Sequence, residues 1–101
     1  MSDNFKKEFK RLLKKYPSLK KEGEALTSEL KNNPQIGTKL GNNCYKIRLS
    51  IASKGRGKSG GARIITYVKI EKHTVFILSI YDKAERDSIS DTEIKNLLKS
   101  L

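Results

Sequence analysis

The sequence predicts an α+β fold: an N-terminal helical hairpin packed on a small antiparallel β-sheet, a meander, with a C-terminal helix. Two observations lead to this fold. The apolar residues recur with a helical period in the first third of the chain, with a period of two in the middle, and with a helical period again at the end. The strand-like segments are joined by short links, which is typical of antiparallel neighbours. With 101 residues the chain has the length of one domain, residues 1–101.

The helical hairpin is predicted from two amphipathic segments separated by a proline. The first spans residues 4–16 and is ended by Pro17. Ser18 is placed to cap a second helix, which ends before Pro34. Because only a short link joins the helices, they are expected to lie antiparallel, with Gly23 allowing their close packing. The apolar stripes consist of Phe5, Phe9, Leu12, Leu13, Tyr16, Leu19, Leu26 and Leu30.

Three strands are predicted in the middle of the chain, at residues 45–52, 62–70 and 74–81. Residues 37–43 are rich in glycine and asparagine and are predicted to form a connection rather than a strand. A capping-box motif opens the last helix, residues 90–101. The second and third strands are apolar on both faces, so the last helix is expected to cover part of the sheet face that the hairpin leaves open.

The charge distribution indicates an anionic partner. The formal net charge is +11, and no acidic residue occurs between Glu29 and Glu71. Such a field concentrates polyanions, which makes nucleic acid the first candidate, ahead of an acidic protein or an anionic membrane surface. The cations in that interval are Lys31, Lys39, Lys46, Arg48, Lys54, Arg56, Lys58, Arg63 and Lys69.

Several classes of protein are excluded by the composition. A chain this short has no room for the large enclosed cavity of a multi-substrate enzyme. The single cysteine, Cys44, rules out a disulfide framework and a cysteine-based metal cluster. No signal peptide and no apolar run of about 18 residues is present, so a cytoplasmic protein that does not engage the membrane is expected.

Residues 52–59, ASKGRGKS, match a relaxed phosphate-binding loop pattern. A true P-loop joins a strand to a helix, whereas this segment precedes a strand, so nucleotide hydrolysis is rejected. His73 is predicted to lie on an exposed turn, and Cys44 to be a small buried thiol. Because paired carboxylates are missing from the basic segment, no metal and no cofactor is expected.

A cluster of cations is predicted on the sheet. Lys46 and Arg48 share one face of the first predicted strand, and Arg63 begins the next strand, where we expect it to be exposed. Lys54, Arg56 and Lys58 lie in the link between these strands. A solvated hairpin is the simplest alternative, but uncompensated repulsion among these cations favours an anionic ligand.

Three segments resemble toxins of the RelE/ParE superfamily, in particular the HigB-type branch with a glycine- and lysine-rich hairpin. They are NCYKIRL at residues 43–49, SKGRGKSGGARIITYV at residues 53–68 and LSIYDKAE at residues 78–85. The resemblance implies a RelE-like fold and the toxin of a type II toxin–antitoxin pair. RNA-cleaving members enter the ribosomal A site and cut mRNA, and a cognate antitoxin neutralises them by wrapping their surface.

Carried over by position, Lys46 and Arg48 match the paired basic residues of the CYKIKL strand of RelE, and Arg63 matches the arginine that begins the next strand. Lys83 falls at the basic position after the last strand. Three features depart from the family pattern: Ala84 replaces an arginine, no catalytic tyrosine follows Tyr81, and the chain begins at the first helix rather than at a short strand. Either the chain is shortened at its start or the first strand has been lost, and an open sheet edge is then expected.

The expected reaction is a metal-independent attack of the RNA 2′-OH on the adjacent phosphodiester, leaving a 2′,3′-cyclic phosphate. Without histidine or carboxylate in the cluster, a lysine has to be considered as the base, since crowding by other cations favours its neutral form. Lys54 and Lys46 are the candidates. Arg63 and Arg48 suit the phosphate, and Lys83 or Tyr81 suits proton transfer to the leaving group.

Two other functions stay open from sequence: a ParE-like inhibitor of DNA gyrase and a non-catalytic RNA- or ribosome-binding module. Arg56 and Lys58 are predicted to bind RNA. Lys6, Lys10 and Lys14 are also predicted to bind RNA. With neighbouring lysines they form a second basic surface on the hairpin, which is expected to contact the phosphates of ribosomal RNA. The expected partners are the ribosome, mRNA and an acidic, amphipathic antitoxin that buries apolar residues as well as pairing charges.

Overall fold

A computed structural model describes residues 2–55, 60–72 and 74–101. Within these residues, three helices accompany one antiparallel sheet of four strands in the order β1-β2-β3-β4, which confirms the predicted α+β fold. Short 3-10 turns follow β2 and β3. The helices are α1 (Asp3–Lys15), α2 (Leu19–Asn32) and α3 (Asp91–Lys99), and the strands are β1 (Thr38–Gly41), β2 (Cys44–Leu49), β3 (Ala62–Lys69) and β4 (Thr74–Asp82).

The helix ends follow the capping residues, with one exception. Ser2 caps α1 by accepting a hydrogen bond from the backbone N–H of Phe5 at 3.1 Å. At α3 the capping box of Ser90 and Glu93 is complete, as predicted. Ser18 lies at the N-cap of α2 but makes no capping hydrogen bond, because its hydroxyl is engaged with the side chains of Glu22 and Ser53. Ser18 is therefore the N-cap residue of α2, as expected, but its side chain does not cap the helix.

Gly23 permits the close approach of α1 and α2. A Cβ atom at this position would lie 3.1 Å from the ring of Phe9, so a side chain there would force the ring to move. Phe9 lies in the middle of α1 and Gly23 in the first half of α2, which is the pairing of an antiparallel hairpin. The expectation for Gly23 is confirmed.

The sheet separates two apolar cores. The helical hairpin covers one face, which is called the hairpin face from here on. The opposite face, called the α3 face, is covered by the C-terminal helix through Ile94, as the two-sided apolar strands predicted. The hairpin-face core contains Phe5, Leu12, Leu19, Leu26, Leu30, Ile47, Ile51, Ala62, Ile64, Ile77 and Ile80, and the α3-face core contains Cys44, Ile65, Leu78, Tyr81 and Ile94.

β1 corrects the prediction that residues 37–43 form a connection. Its strand pairs with β2, and the two are joined by Asn42 and Asn43, which have φ angles of 53° and 61°. Two left-handed residues are what a tight hairpin turn requires, and asparagine adopts that conformation more readily than most residues. β1 is short and mostly exposed, so it lacks the apolar alternation that reveals a buried strand.

β4 contains an irregularity in its pairing with β3. Ile65 pairs with Ser79 and Thr66 pairs with Ile77, which leaves Leu78 as an extra residue, a β-bulge. The bulge explains why Ile77 and Ile80, three residues apart, both enter the hairpin-face core.

The outer edge of β4 is covered by the start of α1. The backbone N–H of Ser2 donates to the carbonyl of Ile77 at 3.2 Å, and the side-chain amide of Asn4 donates to the carbonyl of Leu78 at 3.0 Å. Glu8 accepts a hydrogen bond from the hydroxyl of Ser79 at 2.8 Å. The expected open edge is therefore closed here by polar groups of a helix, which protects it from pairing with another strand.

Candidate nucleic-acid interface

Four predicted site residues share the α3 face of the sheet. Arg48 on β2 pairs with Arg63 on β3, and Arg63 in turn pairs with Tyr81 on β4. Directly paired residues project from the same face of a sheet, and so does Lys46, two residues before Arg48. Lys46, Arg48, Arg63 and Tyr81 are called the basic row from here on.

Burial varies along the basic row. Arg48 is exposed and Lys46 is intermediate, whereas Arg63 is only 5% exposed. The guanidinium of Arg63 donates to the carbonyl of Ala62 at 3.1 Å. The expectation of an exposed Arg63 is wrong because Arg63 has a paired residue on each side, Arg48 on β2 and Tyr81 on β4, whereas the pairing of β1 with β2 ends at Lys46 and does not reach Arg48. Arg63 therefore also contributes to packing.

Tyr81 is a buried phenol between two arginines. Burial raises its pKa, and the nearby charges of Arg63 and Arg86 act in the opposite direction. The guanidinium of Arg86 lies 5.4 Å from the ring centre of Tyr81. Among the described residues none forms a hydrogen bond with the Tyr81 hydroxyl, which is itself buried.

Arg86 was missed by the sequence analysis. Both carboxylate oxygens of Glu93 accept hydrogen bonds from its guanidinium at 2.6 Å, which fixes the arginine against α3. Hydrogen bonding with Glu93 raises the pKa of Arg86. The sequence contains only an indirect sign of this arginine. Arg86 lies two residues after Ala84, the position at which the family pattern has an arginine.

Lys54 is turned away from the basic row. Its ammonium group forms an ion pair with the carboxylate of Asp82, and the two side chains are 6% and 0% exposed. The Tyr16 hydroxyl donates to the same carboxylate at 2.7 Å, and the backbone N–H of Ala84 donates at 2.9 Å. Asp82 pairs with Ala62, a residue of the hairpin-face core, so this contact lies on the opposite face of the sheet from the row.

Asp82 is ionised despite its burial. Desolvation by itself raises the pKa of Asp82, but the hydrogen bonds from Lys54, Tyr16 and Ala84 outweigh it, and the pKa lies below its ordinary value. No carboxylate was predicted near the cations because Asp82 is 28 residues from Lys54 along the chain.

The remaining predicted residues are distributed as follows. Lys83 follows β4, and its ammonium group donates to the carbonyl of Asp87 at 2.8 Å. Arg56, Lys58 and His73 lie outside the described residues. The P-loop-like segment joins two antiparallel strands, as expected. Cys44 is buried, and burial raises the pKa of its thiol, which agrees with an inert thiol.

The lysines of the helical hairpin form a separate surface. All of them are exposed, whereas the apolar residues between them face the sheet. Because the hairpin covers one face and the basic row lies on the other, the chain presents two basic surfaces. The lysines are Lys6, Lys7, Lys10, Lys14, Lys15, Lys20 and Lys21.

The fold and these surfaces define a small α+β protein with a cationic row across an antiparallel sheet. A family model described as the RelE toxin of the RelE/RelB toxin–antitoxin system matches residues 4–100. The chain belongs to this RelE toxin family, and the match includes α2, α3 and all four strands. Membership implies a cognate antitoxin as partner.

Neither a metal-binding cluster nor a helix able to cross a membrane is found in the described part of the chain. Among residues 2–55, 60–72 and 74–101, no group of three or more His, Cys, Asp or Glu side chains is arranged to hold a metal ion. Within the same ranges, no helix has the length and apolar character needed to cross a membrane.

Proposed function

We propose that this protein is a ribosome-dependent mRNA endoribonuclease, the toxin of a toxin–antitoxin pair, which acts in the cytoplasm and cuts mRNA in the ribosomal A site. The observation that carries the proposal is the basic row, in which Arg48, Arg63 and Tyr81 stand in direct register across three neighbouring strands. Arg48 and Arg63 are direct partners on neighbouring strands, and planar guanidinium groups suit phosphate because they bind its oxygens in pairs.

The proposed reaction requires no metal and balances within the RNA. The 2′-oxygen forms a bond to phosphorus while the bond from phosphorus to the 5′-oxygen breaks, which leaves a 2′,3′-cyclic phosphate and a 5′-OH end. Lys46, on the row and two residues from Arg48, accepts the 2′-OH proton. Arg48 and Arg63 stabilise the negative charge that develops on the phosphate, and Tyr81 or Lys83 donates a proton to the 5′-oxygen.

Dependence on the ribosome is supported by the second basic surface. The hairpin lysines lie on the opposite side of the sheet from the row, so a single RNA strand bound at the row does not reach them. The A site is lined by ribosomal RNA, whose phosphates can contact this surface. Each such contact releases condensed counterions, which favours binding. This surface contributes affinity, and the basic row contributes chemistry.

Two alternatives make different predictions. A non-catalytic RNA- or ribosome-binding module would use the same cations but would leave the RNA intact. A ParE-like gyrase inhibitor has no need for paired arginines beside a buried tyrosine, so the basic row disfavours it. Both would leave translated mRNA uncut.

The experiment is primer extension on a defined mRNA incubated with the purified protein, with and without translating ribosomes. Cuts at A-site codons that need ribosomes and end in a 2′,3′-cyclic phosphate are expected. Lys46→Gln should lose cleavage, whereas Lys99→Gln, which removes an exposed lysine at the end of α3, should keep it. Uncut mRNA with intact ribosome binding would favour the binding module, and inhibited supercoiling would favour the gyrase inhibitor.

A further inference from the structure

The carboxylate of Asp82 joins three separate parts of the chain. It accepts hydrogen bonds from Tyr16 at the end of α1, from Lys54, and from Ala84 in the turn after β4. Lys54 directly precedes residues 55–60, which are called the glycine-rich segment from here on. Lys54 and Asp82 are almost fully shielded from solvent. A buried ion pair of this kind costs desolvation energy that can exceed the gain from its attraction. Stability alone is therefore a weak explanation for its presence.

Lys54 is badly placed to act as a base. A general base must come within hydrogen-bond distance of the 2′-OH proton, or reach it through one water. The ammonium group of Lys54 is instead enclosed by the carboxylate of Asp82 and the ring of Tyr16, whose centre lies 5.4 Å away. It also lies on the hairpin face, across the sheet from the basic row.

The ion pair is well placed to hold the two segments that border the row. Lys54 and Gly61 flank the glycine-rich segment, and both are tied to the end of β4: Lys54 to Asp82, and the carbonyl of Gly61 to the backbone N–H of Lys83 at 3.0 Å. The carbonyl of Asp82 also accepts the backbone N–H of Arg86 at 3.0 Å. These contacts fix the start of the turn after β4, which contains Lys83 and Arg86.

We propose that Lys54 and Asp82 are positioning residues for the cleavage reaction: their buried ion pair holds the ends of the glycine-rich segment and the turn after β4 in register with the basic row. This inference rests on the proposed function. The pair acts through other residues and does not touch the RNA. Small displacements of groups around a reacting phosphate reduce the rate steeply, which makes such an anchor valuable.

The test is single-turnover cleavage on mRNA-programmed ribosomes, measured against protein concentration, so that the rate at saturation is separated from the half-saturating concentration. Lys54→Met and Asp82→Asn should each lower the saturating rate by about tenfold or more, and leave the half-saturating concentration within about threefold. Lys54→Arg keeps the ion pair but cannot act as a base, and should stay within about threefold of the wild-type rate.

Matched variants separate positioning from a general loss of structure. Tyr16→Phe removes another hydrogen bond to the same carboxylate but leaves the ion pair, so its saturating rate should stay within about twofold of wild type. Because the pair acts as a unit, the double variant Lys54→Met/Asp82→Asn should be no slower than the slower single variant. This neutral pair also replaces the single variants if a lone buried charge prevents them from folding.

Four results would overturn the inference. If folded Lys54→Arg is as inactive as Lys54→Met, Lys54 itself is the base. If Tyr16→Phe is as slow as Asp82→Asn, the effect is a general loosening of the fold. If wild type cuts mRNA and Asp82→Asn cuts it equally fast, the pair has no part in the reaction although the proposed function stands. The absence of cutting by wild type would overturn both proposals.

Discussion

Arg48 and Arg63 form a matched pair that separates catalysis from folding. They are direct partners across β2 and β3 and carry the same charge, but Arg48 is exposed whereas Arg63 is 5% exposed. Replacing each by glutamine removes the same charge from neighbouring points on the row. The two variants should therefore resemble each other in cleavage and differ in stability.

The expected magnitudes follow from burial and from the bonds lost. For exposed Arg48→Gln, the free energy of unfolding should change by no more than about 0.5 kcal/mol. A hydrogen bond to a charged group contributes about 1.5–3 kcal/mol, so losing one to the reacting phosphate should slow cleavage roughly 10- to 150-fold. Arg63→Gln should slow cleavage by a similar factor. It should also lower the free energy of unfolding by about 1–3 kcal/mol, because a buried carbonyl loses its donor.

Urea unfolding followed by circular dichroism measures the stability, and single-turnover cleavage on programmed ribosomes measures the rate. Lys99→Gln is the control for the loss of one positive charge. A folded Arg48→Gln protein that cuts at the wild-type rate would refute the assignment of the basic row as the site. An Arg63→Gln protein as stable as Arg48→Gln would refute the argument from burial.

Three further predictions address stability and affinity. Because the pKa of Asp82 is lowered in the folded protein, its contribution to the free energy of unfolding should be complete above about pH 5 and lost as pH falls through the folded-state pKa; urea titrations of Asp82→Asn should lack this acid dependence. Gly37→Ala should lower the free energy of unfolding by about 1–3 kcal/mol, because Gly37 has a φ of 106° and the added Cβ would lie 2.5 Å from the carbonyl oxygen of Lys46. Gly41→Ala is the control: its Cβ would meet no atom within 4 Å, so it should lower the free energy of unfolding by less. Replacing four hairpin lysines by glutamine should weaken ribosome binding and flatten its salt dependence by roughly one unit per lost contact, with saturating cleavage unchanged; normal binding across a salt titration would leave these lysines as a solvated surface. The four lysines are Lys6, Lys10, Lys14 and Lys21.

The sequence predicted best what local periodicity controls. The three helices, the β2–β3–β4 meander and the shared face of Lys46 and Arg48 all follow from patterns within a few residues. β1 was not predicted because Leu40 is its only apolar residue besides glycine. A strand that is defined only by its pairing with a neighbour has no apolar alternation in its sequence.

Contacts between distant segments could not be predicted in the same way. The partner of Lys54 depends on the direction in which the 3-10 turn Ala52–Lys54 points the side chain, and on which face Asp82 occupies. The contact of Arg86 with Tyr81 depends on the course of the turn after β4. Neither property is encoded in residue spacing, because both are set by tertiary packing.

The bulge at Leu78 determines which side chains of β4 lie on each face of the sheet. Strict alternation counted from Ile77 would assign Tyr81 to the hairpin face and Asp82 to the α3 face. The extra residue shifts the phase of β4, so that Tyr81 joins the arginines and Asp82 meets Lys54 among the apolar side chains of the hairpin. One unpaired residue thus sorts two adjacent side chains, one toward the candidate RNA-binding row and the other into the interior.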